Sequence, residues 1–467
     1  MNRILQIPPR YVGLAALCLL SLVYLALFHY TRYGIDEGAA HGLLLNWTIG
    51  SEKISAVATF GFPDLRALLF APLNFNWVGD LTAAKVLTMY LTFATALMLY
   101  RWAEKNLDDE TALFATGLWL VAPLTIAQTD SIGAGNYLAF CAISSYWLNQ
   151  YLRASTRSIS GYYFIIVMVM ALAVSMHPAG LGMAIAMAWS WWRNDGGNAR
   201  RRYAMIGGLG IFIAFVLFSR MGWPEVEAFH PMRALAGILI GDLSYFKSLP
   251  IGFALVSAVL LLLSAIAAVK RSRDDVFTMM LVSGIVVGLI APDHGWAQLA
   301  LLLILYEGIK ALITLNSRVG VMNVMARRGL VALAVFALSF LFMIGDKEHF
   351  LLKEHHRLQP TDQVISNLAR LTSATNKTVY VASQWPARTM LATRRDAFPI
   401  LRPVKDDPEA FLKEMHGITY MVFDQYDSRN KLLRRVVAEL SDRIQTIAIL
   451  KGGVIMQLPP AEKRQKQ

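Results

Sequence analysis

Apolar runs of about 20 residues recur along this chain, and that is the length an α-helix needs to cross the hydrocarbon core of a bilayer. The composition agrees, because 56% of the 467 residues are hydrophobic and only 16% are charged. Soluble globular chains have about 25% charged residues. The sequence therefore predicts a polytopic membrane protein that is mainly α-helical. Basic cytoplasmic loops explain the net charge of +12, so no nucleic-acid partner is predicted.

Basic residues set the predicted orientation of the spans, because Lys and Arg concentrate in cytoplasmic loops. Arg3 and Arg10 place the N-terminus inside. The apolar stretches 110–152, 161–192 and 276–317 end at basic residues on both sides. Each is therefore predicted to be a hairpin that crosses twice and has its tip outside.

The stretch 161–192 is too long for one span, because a single helix would measure about 48 Å. Two short arms with a turn at His177-Pro178 are therefore preferred. The alternative, one long helix, would put Arg193 and the cluster 200–202 on the outer side. Single spans complete the bundle at 11–29, 80–100, 203–219, 248–269 and 329–345. The total is about eleven spans, so residues 346–467 are expected on the outer side.

The first outer loop, 30–79, carries two adjacent carboxylates near its start, Asp36 and Glu37, and His41 follows one helical turn later. A carboxylate at the membrane–water boundary can act as a general base. The sequence nominates Asp36 and Glu37 as catalytic residues and His41 as a pocket residue. Asp36 is equally well explained as the N-cap of a helix that starts at Glu37, and His41 as an interfacial side chain.

The tips of the three hairpins hold polar residues that are predicted to lie on the same side as the first outer loop. These pocket candidates are Asp130 and Asn136 in the first tip, His177 in the second, and Asp293 and His294 in the third. Ionisable groups at membrane depth are costly and are usually functional or paired. A solvated turn is the alternative at each single tip.

A second outer loop, 220–247, contains basic residues on the side that is normally poor in them. If the chain transfers a group from a phosphate-linked donor, the departing phosphate needs cationic or hydrogen-bonding partners. The loop supplies several such side chains. With one further lysine at the start of the second span, the donor-phosphate candidates are Arg220, His230, Arg233, Lys247 and Lys85. The alternative is that the loop charges only balance Glu225, Glu227 and Asp242.

From residue 346 the long apolar runs stop and charges become frequent. Apolar segments at 378–383, 418–424, 446–450 and 454–458 are predicted strands, the last two joined as a hairpin by Lys451-Gly452-Gly453. Helices are predicted at 361–371, 407–415 and 428–443, and Asp407-Pro408 is typical of a helix start. The predicted organisation is a transmembrane catalytic domain, 1–345, followed by an extracytoplasmic α/β domain, 346–467.

This layout resembles the GT-C superfamily of glycosyltransferases, in particular the group of the lipid A aminoarabinose transferase and the protein O-mannosyltransferases. The resemblance is carried by Asp36-Glu37 directly after span one and by Thr129-Asp130 followed by 136–140, Asn-Tyr-Leu-Ala-Phe. It implies that an acidic residue of the first loop is the catalytic base. Two departures are the smaller number of spans and 293–296, Asp-His-Gly-Trp, in place of an Arg/Tyr-rich segment.

The resemblance implies a glycosyltransferase that takes a hexosyl or pentosyl unit from a polyprenyl-phosphate-linked donor. The acceptor would be a lipid, a glycan or a protein, and the expected location is a bacterial inner membrane. The motifs imply no cofactor and leave a divalent metal ion open, and Cys18 and Cys141 lie in apolar runs without metal-type spacing. The alternatives are a transporter or lipid flippase, which favours an internal repeat, and a polysaccharide polymerase or ligase.

Overall fold

The structure, a computed structural model, is described for part of the chain. The described residues are 35–40, 43–44, 65–66, 69, 82–106, 109–154, 161–194, 199–219, 231–240, 251–271, 275–289, 295–308, 310, 337, 360–375, 378–403, 405–427 and 430–459. They divide into two compact units. A helical unit contains the described residues from 82 to 337, and an α/β unit combines those from 35 to 69 with those from 360 onward.

The helical unit consists of eleven described α-helices and one π-helical turn, Ile304–Gly308, which continues the last of them. The α-helices are α1 (Thr82–Asn106), α2 (Asp109–Val121), α3 (Pro123–Asp130), α4 (Ala134–Ala154), α5 (Gly161–Met176), α6 (Ala179–Asn194), α7 (Ala199–Ser219), α8 (Pro231–Ile240), α9 (Ile251–Arg271), α10 (Val276–Gly288) and α11 (Ala297–Leu303).

Local sequence explains where several of these helices begin. Pro123 occupies the first position of α3, where the missing N–H is not needed, and α3 is bent by 51° from α2 at this break. Asp275 caps α10, because its carboxylate accepts the backbone N–H of Thr278 at 3.1 Å and the hydroxyl of the same residue at 2.6 Å. Pro178 separates α5 from α6, as the sequence predicts.

The first hairpin is visible in how α1 and α4 pack. The hydroxyls of Thr88 and Tyr137 lie 2.7 Å apart near the start of both helices. The indole of Trp147 donates to the carbonyl of Met98 at 3.2 Å nearer their ends. These helices are therefore parallel, and α2 and α3 must carry the chain back between them.

The helices of the second and third predicted hairpins also pack antiparallel. The rings of Tyr163, near the start of α5, and Trp191, near the end of α6, have centroids 5.8 Å apart. Thr278 in the first turn of α10 donates to Glu307 in the π-helical turn at 3.4 Å. In both cases the chain returns along itself, as an even number of crossings requires.

The basic termini of several helices meet at one end of the helical unit. Arg153 at the end of α4 donates to Ser190 at the end of α6 at 2.7 Å. Lys310 donates to the carbonyl of Asn106, at the end of α1, at 3.4 Å. The sequence places these basic residues on one side of the membrane, and the packing agrees with that grouping.

The α/β unit has a five-stranded sheet in the order β2-β1-β3-β5-β4. Strands β2, β1 and β3 are parallel, whereas β3, β5 and β4 pair antiparallel. Helices and strands alternate as α12 (Pro360–Ser373), β1 (Val381–Ser383), α13 (Pro386–Thr393), β2 (Ala397–Pro399), α14 (Pro408–Glu414), β3 (Tyr420–Phe423), α15 (Lys431–Glu439), β4 (Gln445–Leu450) and β5 (Gly453–Gln457).

The core of this unit lies between the sheet and the helices α14 and α15. Phe411, Met421, Phe423, Leu433 and Val436 are buried there together. Burying such side chains contributes roughly 1.5–3 kcal/mol each before the cost of ordering the chain. The apolar faces of α14 and α15 therefore fix both helices on the sheet.

The α/β character of this region agrees with the sequence, but two of its elements were not predicted. Helix α13 and strand β2 fall in a segment without an apolar run, although Pro386 at the first position of α13 is a helix-start signal. Asp407 caps α14 as predicted and accepts the N–H of Ala410 at 3.0 Å. The predicted hairpin of β4 and β5 is confirmed as an antiparallel pair.

The described residues include only some of the predicted spans. Among the described residues, one helix segment, Ile251–Ala268, is long and apolar enough to cross a membrane, and the bent pair α2–α3 adds a second if it counts as one span. Predicted span 11–29 lies outside the described residues, as does 329–345 apart from Ala337. The segment 220–247, predicted as a loop, contains α8 because Pro231 can start a helix and the apolar residues after it can continue one.

Candidate active site

Asp36 lies at the N-terminal end of a short helical segment in the α/β unit. Its backbone carbonyl accepts the N–H of Ala40 at 2.9 Å, and its carboxylate accepts the N–H of Gly38 at 3.4 Å. It is therefore a helix-capping residue, as one of the two sequence interpretations holds. The same carboxylate accepts from the guanidinium of Arg66 at 2.5 Å.

The Asp36–Arg66 pair is asymmetric in burial. The side chain of Arg66 is 1% exposed, whereas that of Asp36 is 37% exposed. Burying a guanidinium is costly unless a carboxylate compensates its charge. Arg66 thereby fixes Asp36 in place while much of the carboxylate still faces outward.

Glu37 has different partners from its neighbour. One carboxylate oxygen accepts the N–H of Ala387 at 2.6 Å and the other accepts the N–H of Arg388 at 3.2 Å. Both donors belong to the first turn of α13. The two adjacent carboxylates of the first loop therefore do different things: Asp36 binds a side chain, and Glu37 binds the N-terminus of a helix.

The surroundings of Glu37 shift its proton affinity. Burial raises the pKa of Glu37 to about 7, against the opposing effects of the Arg388 charge and of the two backbone hydrogen bonds. The negative charge of Asp36 adds a smaller increase to this pKa. Glu37 consequently exchanges its proton near neutral pH.

Arg388 extends this arrangement to α12. Its guanidinium forms an ion pair with Asp362 and lies 3.4 Å from the hydroxyl of Thr361. Burial acts to lower the pKa of Arg388, but the carboxylates of Asp362 and Glu37 outweigh it, so that this pKa is raised. The first loop, α13 and α12 are thus connected by charged contacts.

In the helical unit, the structure brings together two of the residues predicted from sequence. The ammonium of Lys85, in α1, lies 2.9 Å from the carboxylate of Asp130 at the end of α3. The side chain of Lys85 is 5% exposed and that of Asp130 is 20% exposed. The pair therefore places a buried cation next to a carboxylate that is more exposed.

Asn136 lies beside this pair in a buried ladder of hydroxyl groups. Its side-chain amide donates to the hydroxyls of Thr129 at 2.8 Å and Thr92 at 3.3 Å, and to the carbonyl of Thr125 at 3.1 Å. The amide of Gln298, in α11, donates to the hydroxyl of Thr125 at 2.8 Å. The first hairpin tip is thereby joined to the third hairpin.

His177 is fully buried at the second tip, where its Nδ1 accepts the N–H of Ala179 at 3.0 Å. The backbone of Gly295 passes so close to this imidazole that a Cβ at Gly295 would lie 2.8 Å from Cδ2. Only glycine fits there without a shift. The three hairpin tips therefore meet at one end of the helical unit. Their common side of the membrane stays a prediction.

Other predicted site residues lie outside the described part of the chain. These are His41, Arg220, His230, Lys247, Asp293 and His294. Arg233 lies in α8, a helix that packs against α3 and α11, although its side chain is not among the described ones. Their assigned roles stay predictions.

Three charged residues were not nominated by the sequence analysis although they surround the candidate catalytic loop. Arg66 lies in the first outer loop without a motif around it. Arg388 follows the helix-start signal Trp385-Pro386, and Asp362 lies in the predicted helix 361–371. The helix start was the one signal that could have drawn attention to them. Among the described residues, no three His, Cys, Asp or Glu side chains are grouped so as to hold a metal ion.

Comparison with solved structures places the fold. ArnT from Cupriavidus metallidurans, solved bound to undecaprenyl phosphate, superposes with a TM-score of 0.53 at 12% identity over 96% of this chain and 97% of that chain. Archaeal oligosaccharyltransferase AglB from Archaeoglobus fulgidus, solved with an inhibitory peptide and a dolichol-phosphate, gives 0.52 at 13% identity over 89% and 70%. The chain has a GT-C fold. This confirms the fold that the resemblance implies.

The GT-C fold is detected in three dimensions and not in sequence. No family model and no curated protein sequence matches the chain. With about one residue in eight identical, the likeness to these proteins is one of fold. The structural likeness therefore shows the fold, and it assigns no role to any single residue.

Proposed function

We propose that this chain is a membrane glycosyltransferase that moves a hexosyl or pentosyl unit from a polyprenyl-phosphate donor to a lipid, glycan or protein acceptor. The observation that carries the proposal is the near full-length match to ArnT, a protein solved with undecaprenyl phosphate bound. AglB, which shares the fold, was solved with a dolichol-phosphate. Two proteins of this fold thus bind a lipid phosphate, which supports a donor of that class here.

In this proposal Asp36 is the general base. Its exposed carboxylate takes the proton from the acceptor hydroxyl or amine, and the acceptor atom then bonds to the anomeric carbon of the sugar. The bond from that carbon to the phosphate oxygen breaks, and polyprenyl phosphate leaves with the electron pair. The buried Arg66 holds the Asp36 carboxylate in its orientation for this step.

The departing phosphate gains negative charge and needs cations near it. Lys85 is the proposed contributor among the described residues, because its ammonium is held by Asp130 beside the hydroxyls of the first tip. Arg220, His230, Arg233 and Lys247 are proposed as further donor-phosphate residues. Asn136, His177, Asp293, His294 and His41 are proposed to line the substrate pocket.

We further propose a bacterial inner membrane location, with the N-terminus cytoplasmic and the α/β region extracytoplasmic. The basic helix ends at one side of the helical unit and the polar tips at the other support this orientation. Reporter fusions at Arg157 and Lys353 should then report opposite sides of the membrane. The same side for both would contradict the orientation.

Equilibrium binding tests the donor class. Purified protein should bind a radiolabelled polyprenyl-phosphate sugar saturably and should bind the matching polyprenol, which lacks the phosphate, at least tenfold more weakly, since charge-assisted contacts to phosphate contribute about 1.5–3 kcal/mol. Equal affinity for the two lipids would contradict a phosphate-specific site.

A further inference from the structure

Helix α13 begins without a capping side chain of its own. Trp385 occupies the N-cap position and makes no side-chain hydrogen bond to the helix. The first turn of an α-helix leaves backbone N–H groups without partners in the helix. A local Ser, Thr, Asp or Asn usually accepts from them. Here the acceptor comes from elsewhere in the chain.

Glu37 supplies the missing cap from 350 residues away. Each of its carboxylate oxygens accepts one N–H, from Ala387 at 2.6 Å and from Arg388 at 3.2 Å. A carboxylate at this position also interacts favourably with the positive end of the helix dipole. The contact therefore has the geometry and the charge of a helix cap, but it joins two distant parts of the chain.

An ion pair with α12 holds the residue next to this contact in place. The guanidinium of Arg388 pairs with Asp362, and the exposures of their side chains are 13% and 3%. Removing one member of a buried ion pair destabilises because the other charge stays buried. Glu37 thus binds a part of the α/β unit that is itself fixed in position.

Asp36 directly precedes Glu37, and the residues that follow, Ala39 and Ala40, are fully buried. Consecutive Cα atoms are about 3.8 Å apart, so the place of Asp36 is set by where Glu37 is held. Misplacing a reacting group by about 1 Å can lower a rate about a hundredfold. The orientation of Asp36 therefore depends on two contacts, Arg66 at its own side chain and α13 through Glu37.

We propose that Glu37 is a positioning residue that holds the loop of Asp36 on the N-terminus of α13, and that the C-terminal α/β region thereby takes part in building the active site. The catalytic consequence rests on the proposed function. The contact itself does not, because it can be measured without any transfer reaction.

Glu37→Gln in the full chain tests both parts. The amide keeps the length of the side chain but has a single acceptor oxygen, and its NH2 group faces a second backbone donor. Hydrogen exchange of the backbone amides of residues 387–393 should rise about tenfold or more. Transfer should fall about tenfold to a hundredfold, with unchanged affinity for the polyprenyl-phosphate sugar.

Two companion variants separate positioning from chemistry. Asp36→Asn should remove transfer and leave exchange in α13 unchanged. Glu409→Gln alters an exposed carboxylate elsewhere in the unit and should leave both readouts unchanged. If Glu37→Gln does not yield folded protein, Glu37→Asp keeps the charge, shortens the reach and is expected to give the same pattern.

A double-mutant cycle with Arg388→Met provides the decisive comparison, because this change keeps the backbone N–H and removes the guanidinium. If Glu37 acts through α13, the effects of the two changes on transfer are not additive. Additive effects, or a loss of transfer in Glu37→Gln with unchanged exchange in α13, would overturn the proposal in favour of a second base.

If the wild-type chain shows no transfer, the proposed function fails. Hydrogen exchange in α13 still tests whether Glu37 binds the N-terminus of this helix.

Discussion

The Asp36–Arg66 pair and the Lys85–Asp130 pair are built alike but expose their carboxylates to different degrees. In both, the cation is the buried member, with 1% of Arg66 and 5% of Lys85 exposed. The carboxylate of Asp36 is 37% exposed, whereas that of Asp130 is 20% exposed. The more exposed anion is the better placed to accept a proton from an incoming acceptor.

The residues around the two pairs also differ. Asp130 adjoins the buried ladder in which Asn136 binds threonine hydroxyls, a setting that orders polar groups around a buried cation. Asp36 adjoins Glu37, whose contacts hold a loop. This difference agrees with the roles proposed for them, Asp36 as the base and Lys85 as a phosphate-binding residue.

Asp36→Asn is the change with the largest expected effect. Asn is nearly as good an N-cap as Asp, so the helix start and donor binding should be preserved. The change removes the charge that compensates the buried Arg66, so some stability is lost and transfer is measured per folded molecule. Transfer should fall by about two to four orders of magnitude, which is the usual contribution of a positioned base. Steady-state transfer rates measure this loss. Full activity in the Asp36→Asn, Glu37→Gln double variant would remove the first loop from the chemistry and direct attention to Asp130 and Asp293.

Lys85→Met should act on donor binding. Loss of a charge-assisted contact to phosphate is expected to weaken affinity for the polyprenyl-phosphate sugar about tenfold to a hundredfold. The single change leaves Asp130 without the charge that compensates it, so Lys85→Met with Asp130→Asn is the matched control for stability. Donor affinity that is unchanged in both variants would mean that the pair only joins α1 to α3.

The contrast between a buried Glu37 and a more exposed Asp36 also predicts a pH dependence. The pKa of Glu37 is raised from 4.5 to about 7, so the folded state binds more protons than the unfolded state between these values. The free energy of unfolding of the α/β unit should therefore fall as the pH rises through this window, by the order of 1–3 kcal/mol. Denaturant unfolding at pH 5 and pH 8 measures it. Glu37→Gln should flatten the profile, and an equally steep profile in that variant would place the titration elsewhere.

Asp407→Ala has the smallest expected effect and serves as the reference for a cap without a catalytic role. It removes the carboxylate that accepts the N–H of Ala410 and should cost about 1 kcal/mol of stability. Transfer per folded molecule should not change. A thermal unfolding curve and a transfer assay on the same preparation give both values, and a loss of transfer would show that the two kinds of cap cannot be separated.

The sequence predicted best what depends on local pattern. The antiparallel pairing of helices, the break at His177-Pro178 and the cap at Asp407 follow from apolar length, proline geometry and capping chemistry, and the structure has them. Helix α13 was not predicted because it is short and no apolar run marks it. The partners of Asp36 and Glu37 were not predicted for another reason. Arg66 is 30 residues from Asp36 and Ala387 is 350 residues from Glu37. No local sequence pattern encodes a contact over such separations.

The central claim is that the chain takes its sugar from a lipid phosphate with Asp36 as the base, and one assay tests it directly. Full-length protein in lipid nanodiscs is given a sugar label on polyprenyl phosphate, or the same label on a nucleoside diphosphate, with envelope extract as the source of acceptors. We expect label to leave polyprenyl phosphate only, and Asp36→Asn to bind this donor without releasing the label. Release from the nucleotide sugar, or undiminished release by Asp36→Asn, would contradict it.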